Sequence, residues 1–209
     1  MVRRPTGGRA VLHEQEVTYS LIVPQPETLF PPDILGSYRL ISQALIRGLS
    51  FLGVEATLEP PRRQGTSSHS PSCFHTLSSY EIAVGGRKLI GSAQRRLRGG
   101  LLQQGSLLLQ LDIPRLFSLL RFPDQARREE GIRQAYTRMT SLAEVTGRLY
   151  PHDTVQAALV KGFQAELGIE FQDGELTPEE RQLRDRLLQE KYRTVEWNLY
   201  GRQPSASLP

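Results

Sequence analysis

The sequence predicts an α+β fold: a mixed, mainly antiparallel sheet packed by helices. Two observations carry that expectation. β-rich segments separated by short turns dominate residues 9–111, interrupted by one amphipathic helix, whereas helical periodicity dominates from residue 113 onward. The composition, 38% hydrophobic and 23% charged over 209 residues, is that of an ordinary globular chain with enough length for a core.

In chain order, residues 9–13 and 17–23 are rich in β-formers and flank the polar turn Glu14-Gln15-Glu16, which predicts a hairpin. Ile34, Tyr38, Ile41, Leu45, Leu49 and Leu52 recur at spacings of three and four, so residues 33–52 read as a helix with Asp33 as cap and Gly53 as stop. A strand over 54–58 follows. Residues 60–79 are rich in Pro, Ser, Thr and Gly and form a loop too long to be a bare connection. Strands over 80–84, 87–95 and 101–111, joined by Gly85-Gly86 and Gly99-Gly100, predict an antiparallel meander. Helices are expected over 114–120, 124–138, 142–146 (introduced by Ser141-x-x-Glu144) and 153–167, with a short strand at 169–171. Thr177-Pro178-Glu179-Glu180 combines an N-cap, proline at the first helical position and an acidic first turn, so a helix runs to Tyr192. Residues 1–200 read as one domain, β-rich over 1–112 and mainly helical over 113–200, with a disordered tail at 203–209.

Charge and cysteine content remove several function classes. A single cysteine, Cys73, excludes an internal disulfide framework and a cysteine-based zinc cluster, and no metal site is expected. No apolar run approaches the roughly 20 residues that span a bilayer, and the first residues lack the apolar stretch of a signal peptide, so the expected compartment is the cytoplasm and no membrane is expected as partner. The formal charge is +4, with 23 arginines and three lysines, Lys88, Lys161 and Lys191. The arginines are scattered among glutamates, which argues against a nucleic-acid face and leaves an acidic protein partner open.

Three segments can carry chemistry. In the first, Arg3-Arg4-Pro5-Thr6-Gly7-Gly8 running to His13, paired glycines let backbone N–H groups approach an anion or carbonyl; taken alone, the residues favour a plain turn into a strand over such a ligand loop. The second is Ser70-Pro71-Ser72-Cys73-Phe74-His75. Cys73 is either a small buried hydrophobe or, set among polar turn residues with His69 and His75 nearby, a nucleophile. The third is Arg87-Lys88-Leu89-Ile90-Gly91-Ser92-Ala93-Gln94. Gly91, Ser92 and Ala93 are poor strand formers that leave room against the backbone, and Lys88 is either an edge-strand charge or a cation aimed at a cleft. Gln104 and Gly105, with Gln103 and Ser106, can line the same cleft from the next strand.

Together and in this order the segments resemble the lipoate–protein ligase and octanoyltransferase family, within the biotin/lipoate ligase superfamily. The matching patterns are Arg-Arg-x-Ser/Thr-Gly-Gly into Ala-Val-x-His, and Gly-Arg-Lys-x-x-Gly-Ser-Ala. The resemblance implies chemistry on an octanoyl or lipoyl chain destined for a lysine of a lipoyl domain or of the glycine-cleavage H protein. It implies an acyl site made by Arg4, Thr6, Gly7, Gly8, His13, Gly91, Ser92 and Ala93, with Lys88 at the acyl carbonyl or carboxylate.

Branches of the family differ. ATP- and Mg-dependent ligases carry a third glycine after the pair and an asparagine four residues beyond the motif histidine; this chain has Arg9 and Val17 there. Cys73, in the loop before the lysine strand, resembles the cysteine-dependent octanoyltransferases. The expectation is therefore transfer from octanoyl-acyl carrier protein through a Cys73 thioester, with Lys88 stabilising the oxyanion, His13 lining the pocket or handling a proton, and no cofactor required. The alternatives are an ATP-dependent ligase and a non-catalytic lipoyl-binding relative. Family members carry further elements ahead of the Arg-Arg stretch, so the chain is expected to lack N-terminal elements and to expose a sheet edge.

Overall fold

The computed structural model describes residues 1–6, 10–24, 27–59, 81–97 and 99–202. Cα packing divides the chain into two units: 8–170, and 1–7 together with 171–209.

Among its described residues the larger unit is built on five strands: β1 (Glu16–Pro24), β2 (Thr57–Glu59), β3 (Glu81–Val84), β4 (Arg87–Leu97) and β5 (Gly100–Leu108), in the order β1-β5-β4-β3-β2 with every neighbouring pair antiparallel. Gly85 and Gly86, at φ +56° and +74°, make the tight β3–β4 turn that only residues tolerant of positive φ can form. Among the described residues the expected hairpin between 9–13 and 17–23 does not form. β1 pairs instead with β5, from Glu16 opposite Leu108 to Pro24 opposite Gly100, and Val11 and Leu12 pack into a hydrophobic cluster. A long partner across the sheet satisfies nine residues of backbone and buries alternate side chains, which a short local hairpin cannot match. Residues 54–58 contribute only β2, and 169–171 is not a strand.

Helix α1 (Ile34–Ser50) starts where the Asp33 side chain accepts the Gly36 N–H at 2.7 Å. Its stripe of Ile41, Leu45 and Leu49 lies against Val155, Leu159 and Phe163 of α5 (His152–Leu167) and against one sheet face. The helices approach very closely: a Cβ on Gly162 would stand 2.3 Å from Gly48 N and 2.5 Å from Ala44 O.

Across the sheet, Val17, Leu107, Ile90 and Ile82 form a continuous apolar row beneath these helices. Burying each such side chain contributes about 1.5–3 kcal/mol. The opposite face meets α2 (Ile113–Ser118) and α3 (Gln125–Arg138) through Leu108, Leu116, Phe117, Ala135 and Met139. A short α4 (Leu142–Thr146) is capped by Ser141, as its sequence predicts.

In the smaller unit, α6 (Pro178–Leu187) has the predicted capping box: Thr177 Oγ1 accepts from Glu180 N at 3.2 Å while Thr177 N donates to Glu180 Oε2 at 2.8 Å. It loosens into a π-helical turn at Leu188–Tyr192, followed by α7 (Val195–Asn198). Arg3 closes this unit. Its N–H donates to Asn198 Oδ1 at 2.8 Å, its guanidinium donates to the carbonyls of Trp197 (2.9 Å) and Leu199 (3.0 Å), and Trp197 Nε1 donates to Arg3 O at 2.9 Å. Carbonyls that end a helix without a partner are thereby satisfied by a distant arginine. Among the described residues no helix is long and apolar enough to cross a membrane.

Candidate active site

A one-residue irregularity in β4 decides which side chains share a face. Ile82 pairs with Ile90, whereas Ala83 pairs with Lys88, so Leu89 is an extra residue and the strand bulges there. Leu89 and Ile90 both enter the apolar layer beneath α1 and α5, and Lys88 is turned to the opposite face with Glu81. On that face Lys88 Nζ donates to Glu81 Oε1, with side-chain exposures of 2% and 1%. The Lys88 carbonyl accepts from Thr140 N at 3.0 Å, and a backbone bridge joins Lys88 to Met139. Lys88 is thus a buried cation in the middle of a sheet, not an edge-strand charge.

Continuing along this face, alternation brings up Gly91 and Ala93 of β4, Ser106 and Gln104 of β5, and Thr18 and Ser20 of β1, in the rows Gly91–Ser106–Thr18 and Ala93–Gln104–Ser20. All are small or polar. Gln104 Oε1 is buried and has no hydrogen-bond partner among the described residues, an acceptor position open to a donor. A carboxylate completes the face: Glu16 accepts from Ser106 Oγ and bonds His13 Nδ1. Next to it lies a cavity of about 290 Å³ whose walls include Ala10, Leu12, Glu16, Leu108, Arg115 and Met139.

The structure therefore gathers Lys88, Gly91, Ala93 and Gln104, and adds His13 through Glu16. It separates Ser92 and Gly105 from them. Tyr19 Oη lies 2.7 Å from Ser92 Oγ, and a Cβ on Gly105 would meet Tyr19 Cε1 at 2.2 Å, so both residues sit under the Tyr19 ring on the helix-covered face. There Gln103 Nε2 donates to Tyr19 Oη at 3.0 Å and Gln94 Nε2 to Gln103 Oε1 at 2.9 Å. Burial raises the Tyr19 pKa above its ordinary value, and the bonds to Gln103 and Ser92 oppose that.

Arg4 and Thr6 belong to the smaller unit, where both are half-buried. Cys73, Gly7, Gly8 and the 203–209 tail lie outside the described residues. Among the described residues no group of three or more His, Cys, Asp or Glu could hold a metal ion.

Sequence reasoning passed over Glu81 and Glu16. Glu81 had a legible signal, since an acid opening the otherwise apolar strand Glu81-Ile82-Ala83-Val84 needs a buried partner. Glu16 had none, because Glu14-Gln15-Glu16 reads as a solvated turn until β1 is known to begin there.

Residues 1–164 match the model of the lipoyl protein ligase A/B catalytic domain. The chain belongs to that family. It is 44% identical to octanoyltransferase LipM of Kyrpidia tusciae over 201 residues, 94% of this chain and 73% of that protein. It is 40% identical to octanoyltransferase LipM of Symbiobacterium thermophilum over 202 residues, with 95% and 73% covered. Its fold matches the bipartite lipoate protein ligase of an archaeal lipoylation system, from Thermoplasma acidophilum, with a TM-score of 0.75 at 25% identity, covering 94% of this chain and 69% of that one. The α+β class expected from the sequence is the fold of these lipoate ligases, and the family resemblance read from the two motifs holds.

Proposed function

We propose that this protein is an octanoyltransferase that holds the acyl group as a thioester on Cys73 and delivers it to a lysine of a lipoyl domain or of the glycine-cleavage H protein. The acyl donor is octanoyl-acyl carrier protein. The observation that carries the reading is Lys88, a fully buried ammonium on a strand face of small residues, in a chain 40% and 44% identical to two octanoyltransferases.

The Cys73 thiolate attacks the donor thioester; a carbon–sulfur bond forms to Cys73 and the carrier thiolate leaves. The acceptor amine then attacks the acyl-Cys73 carbonyl, the amide forms and the Cys73 thiolate leaves. A thioester is already activated, so neither step calls for ATP or Mg. In both steps negative charge gathers on the acyl oxygen, and a buried ammonium such as Lys88 stabilises it far better than a hydrated one. Glu81 holds that ammonium in place when no acyl group is present. Gly91 and Ala93 leave space for an alkyl chain, while Arg4, Thr6, Gly7 and Gly8 contribute backbone and cationic contacts. Residues 1–200 act as one catalytic domain in this reading.

We place the reaction in the cytoplasm, where a lone reactive thiol stays reduced. The arginine-rich surface steers acidic partner domains toward the protein.

The deciding experiment is intact-mass measurement after incubation with octanoyl-acyl carrier protein. The expected result is one octanoyl adduct mapped to Cys73 and absent from Cys73→Ala. Efficient lipoylation of apo-H protein by Cys73→Ala with lipoate and Mg-ATP would instead establish a ligase. Absence of any adduct and any turnover would leave a binding protein without catalysis.

A further inference from the structure

We propose that helix α7 is a positioning element for the acyl site: Trp197 and Asn198 grip the backbone of Arg3 and thereby set the segment Arg4-Pro5-Thr6. The proposal rests on the transferase reading above, in which Arg4 and Thr6 contact the acyl group.

Arg3 is gripped on both sides of its α-carbon. Its N–H donates to Asn198 Oδ1 at 2.8 Å, and its carbonyl accepts from Trp197 Nε1 at 2.9 Å. The guanidinium binds the same helix, donating to the Trp197 carbonyl at 2.9 Å and to the Leu199 carbonyl at 3.0 Å. Each gripping side chain is itself fixed. Asn198 Nδ2 donates to the carbonyls of Tyr192 (2.8 Å) and Thr194 (2.9 Å), which leaves Oδ1 as the acceptor for Arg3. The Trp197 ring is buried, meets Tyr192 edge-on with centroids 5.8 Å apart, and lies 4.3 Å beneath Lys191 Nζ.

The covalent chain carries what is fixed at residue 3 on to residue 6. Bonds to N–H and C=O hold the two planar peptide groups that flank Arg3. Arg4 precedes a proline, which biases its backbone to the extended region, and the Pro5 ring locks its own φ. Few free torsions then separate the grip from Thr6. Thr6 Oγ1 is buried and has no hydrogen-bond partner among the described residues, so this hydroxyl is placed for a ligand. A tether for a chain end has no need to hold the N–H, C=O and side chain of one residue to a single helix, whereas orienting the residues that follow does. Helix α7 lies beyond residues 1–164, the stretch that matches the catalytic domain, so the first motif of that domain is set by an element outside it.

The test reads KM against kcat for octanoyl transfer from octanoyl-acyl carrier protein to an apo lipoyl domain. Trp197→Phe keeps an aromatic ring and removes its N–H; Asn198→Ala removes the acceptor for Arg3. Both are expected to raise KM for the donor about tenfold or more with kcat within twofold of wild type, because a displaced motif weakens acyl binding in ground and transition state alike. A helix that only stabilises the fold predicts the opposite, a smaller active fraction that lowers kcat at unchanged KM. Thr177→Ala loosens α6 in the same unit without touching Arg3 and should keep both constants. A fall in kcat at unchanged KM overturns the proposal, as do wild-type kinetics in both variants or an equal rise of KM in Thr177→Ala. Asn198→Ala changes a half-buried side chain and keeps the test valid should Trp197→Phe fold poorly. If wild type transfers no octanoyl group, the transferase reading fails by itself, and calorimetric titration with octanoic acid decides the positioning role. Binding about tenfold weaker in the variants supports it; equal binding, or none by wild type, overturns it.

Discussion

Lys88 and Glu81 face each other from neighbouring strands as a buried ion pair, brought to the same side of the sheet by the bulge at Leu89. Removing one partner leaves an uncompensated charge in the interior. Glu81→Ala is expected to lower unfolding stability by about 3–5 kcal/mol, whereas Lys88→Met combined with Glu81→Leu recovers most of that loss. Urea unfolding of these two variants and of the wild type measures this. The double variant should remain inactive in acyl transfer; activity at the wild-type level would mean that Lys88 has no part in the chemistry.

The contact between α1 and α5 depends on the absence of a side chain at position 162, where a Cβ would stand 2.3 Å from Gly48 N. Gly162→Ala is expected to cost about 1–3 kcal/mol by forcing the helices apart. A thermal melt indistinguishable from wild type would refute the close packing.

Tyr19 makes stability depend on alkaline pH. Its folded-state pKa lies above the ordinary tyrosine value, chiefly because the phenolate would be desolvated, with the bonds to Gln103 and Ser92 acting the other way. As pH rises past about 10 the unfolded chain loses this proton first and the native state retains it. The contribution of the neutral phenol is thus complete below that pH and is lost as pH climbs through the folded-state value. Denaturation midpoints measured from pH 8 to 11 should fall less steeply for Tyr19→Phe than for wild type; parallel curves would contradict this.

Helix α6 buries none of its residues and relies on its ends. Thr177→Ala removes half of the capping box and should cost about 1 kcal/mol of local helix stability. Hydrogen exchange over 178–187 is expected to accelerate roughly fivefold, with exchange in β4 and β5 unchanged. Uniform acceleration across the whole chain would show that α6 is not a local unit.

The amino-acid sequence by itself determined whatever depends on neighbours along the chain. The three-and-four spacing of Ile41, Leu45 and Leu49, the Asp33, Ser141 and Thr177 caps and the Gly85-Gly86 turn all form as expected, because each is closed by bonds spanning only a few residues. The two glycine- and lysine-bearing motifs identified the family in the same way, since a motif is a local string. Only the tertiary structure decided pairing and facing. β1 found β5 over about ninety residues rather than residues 9–13 next to it, because the longer ladder satisfies more backbone and buries an alternating face. The Leu89 bulge then turned Lys88 toward Glu81, while period-two alternation put Gly91 and Ala93 with Lys88 and Ser92 beneath Tyr19, though the three are consecutive in sequence. Facing is a property of register, and register is fixed by what the strand buries against partners far away in the chain.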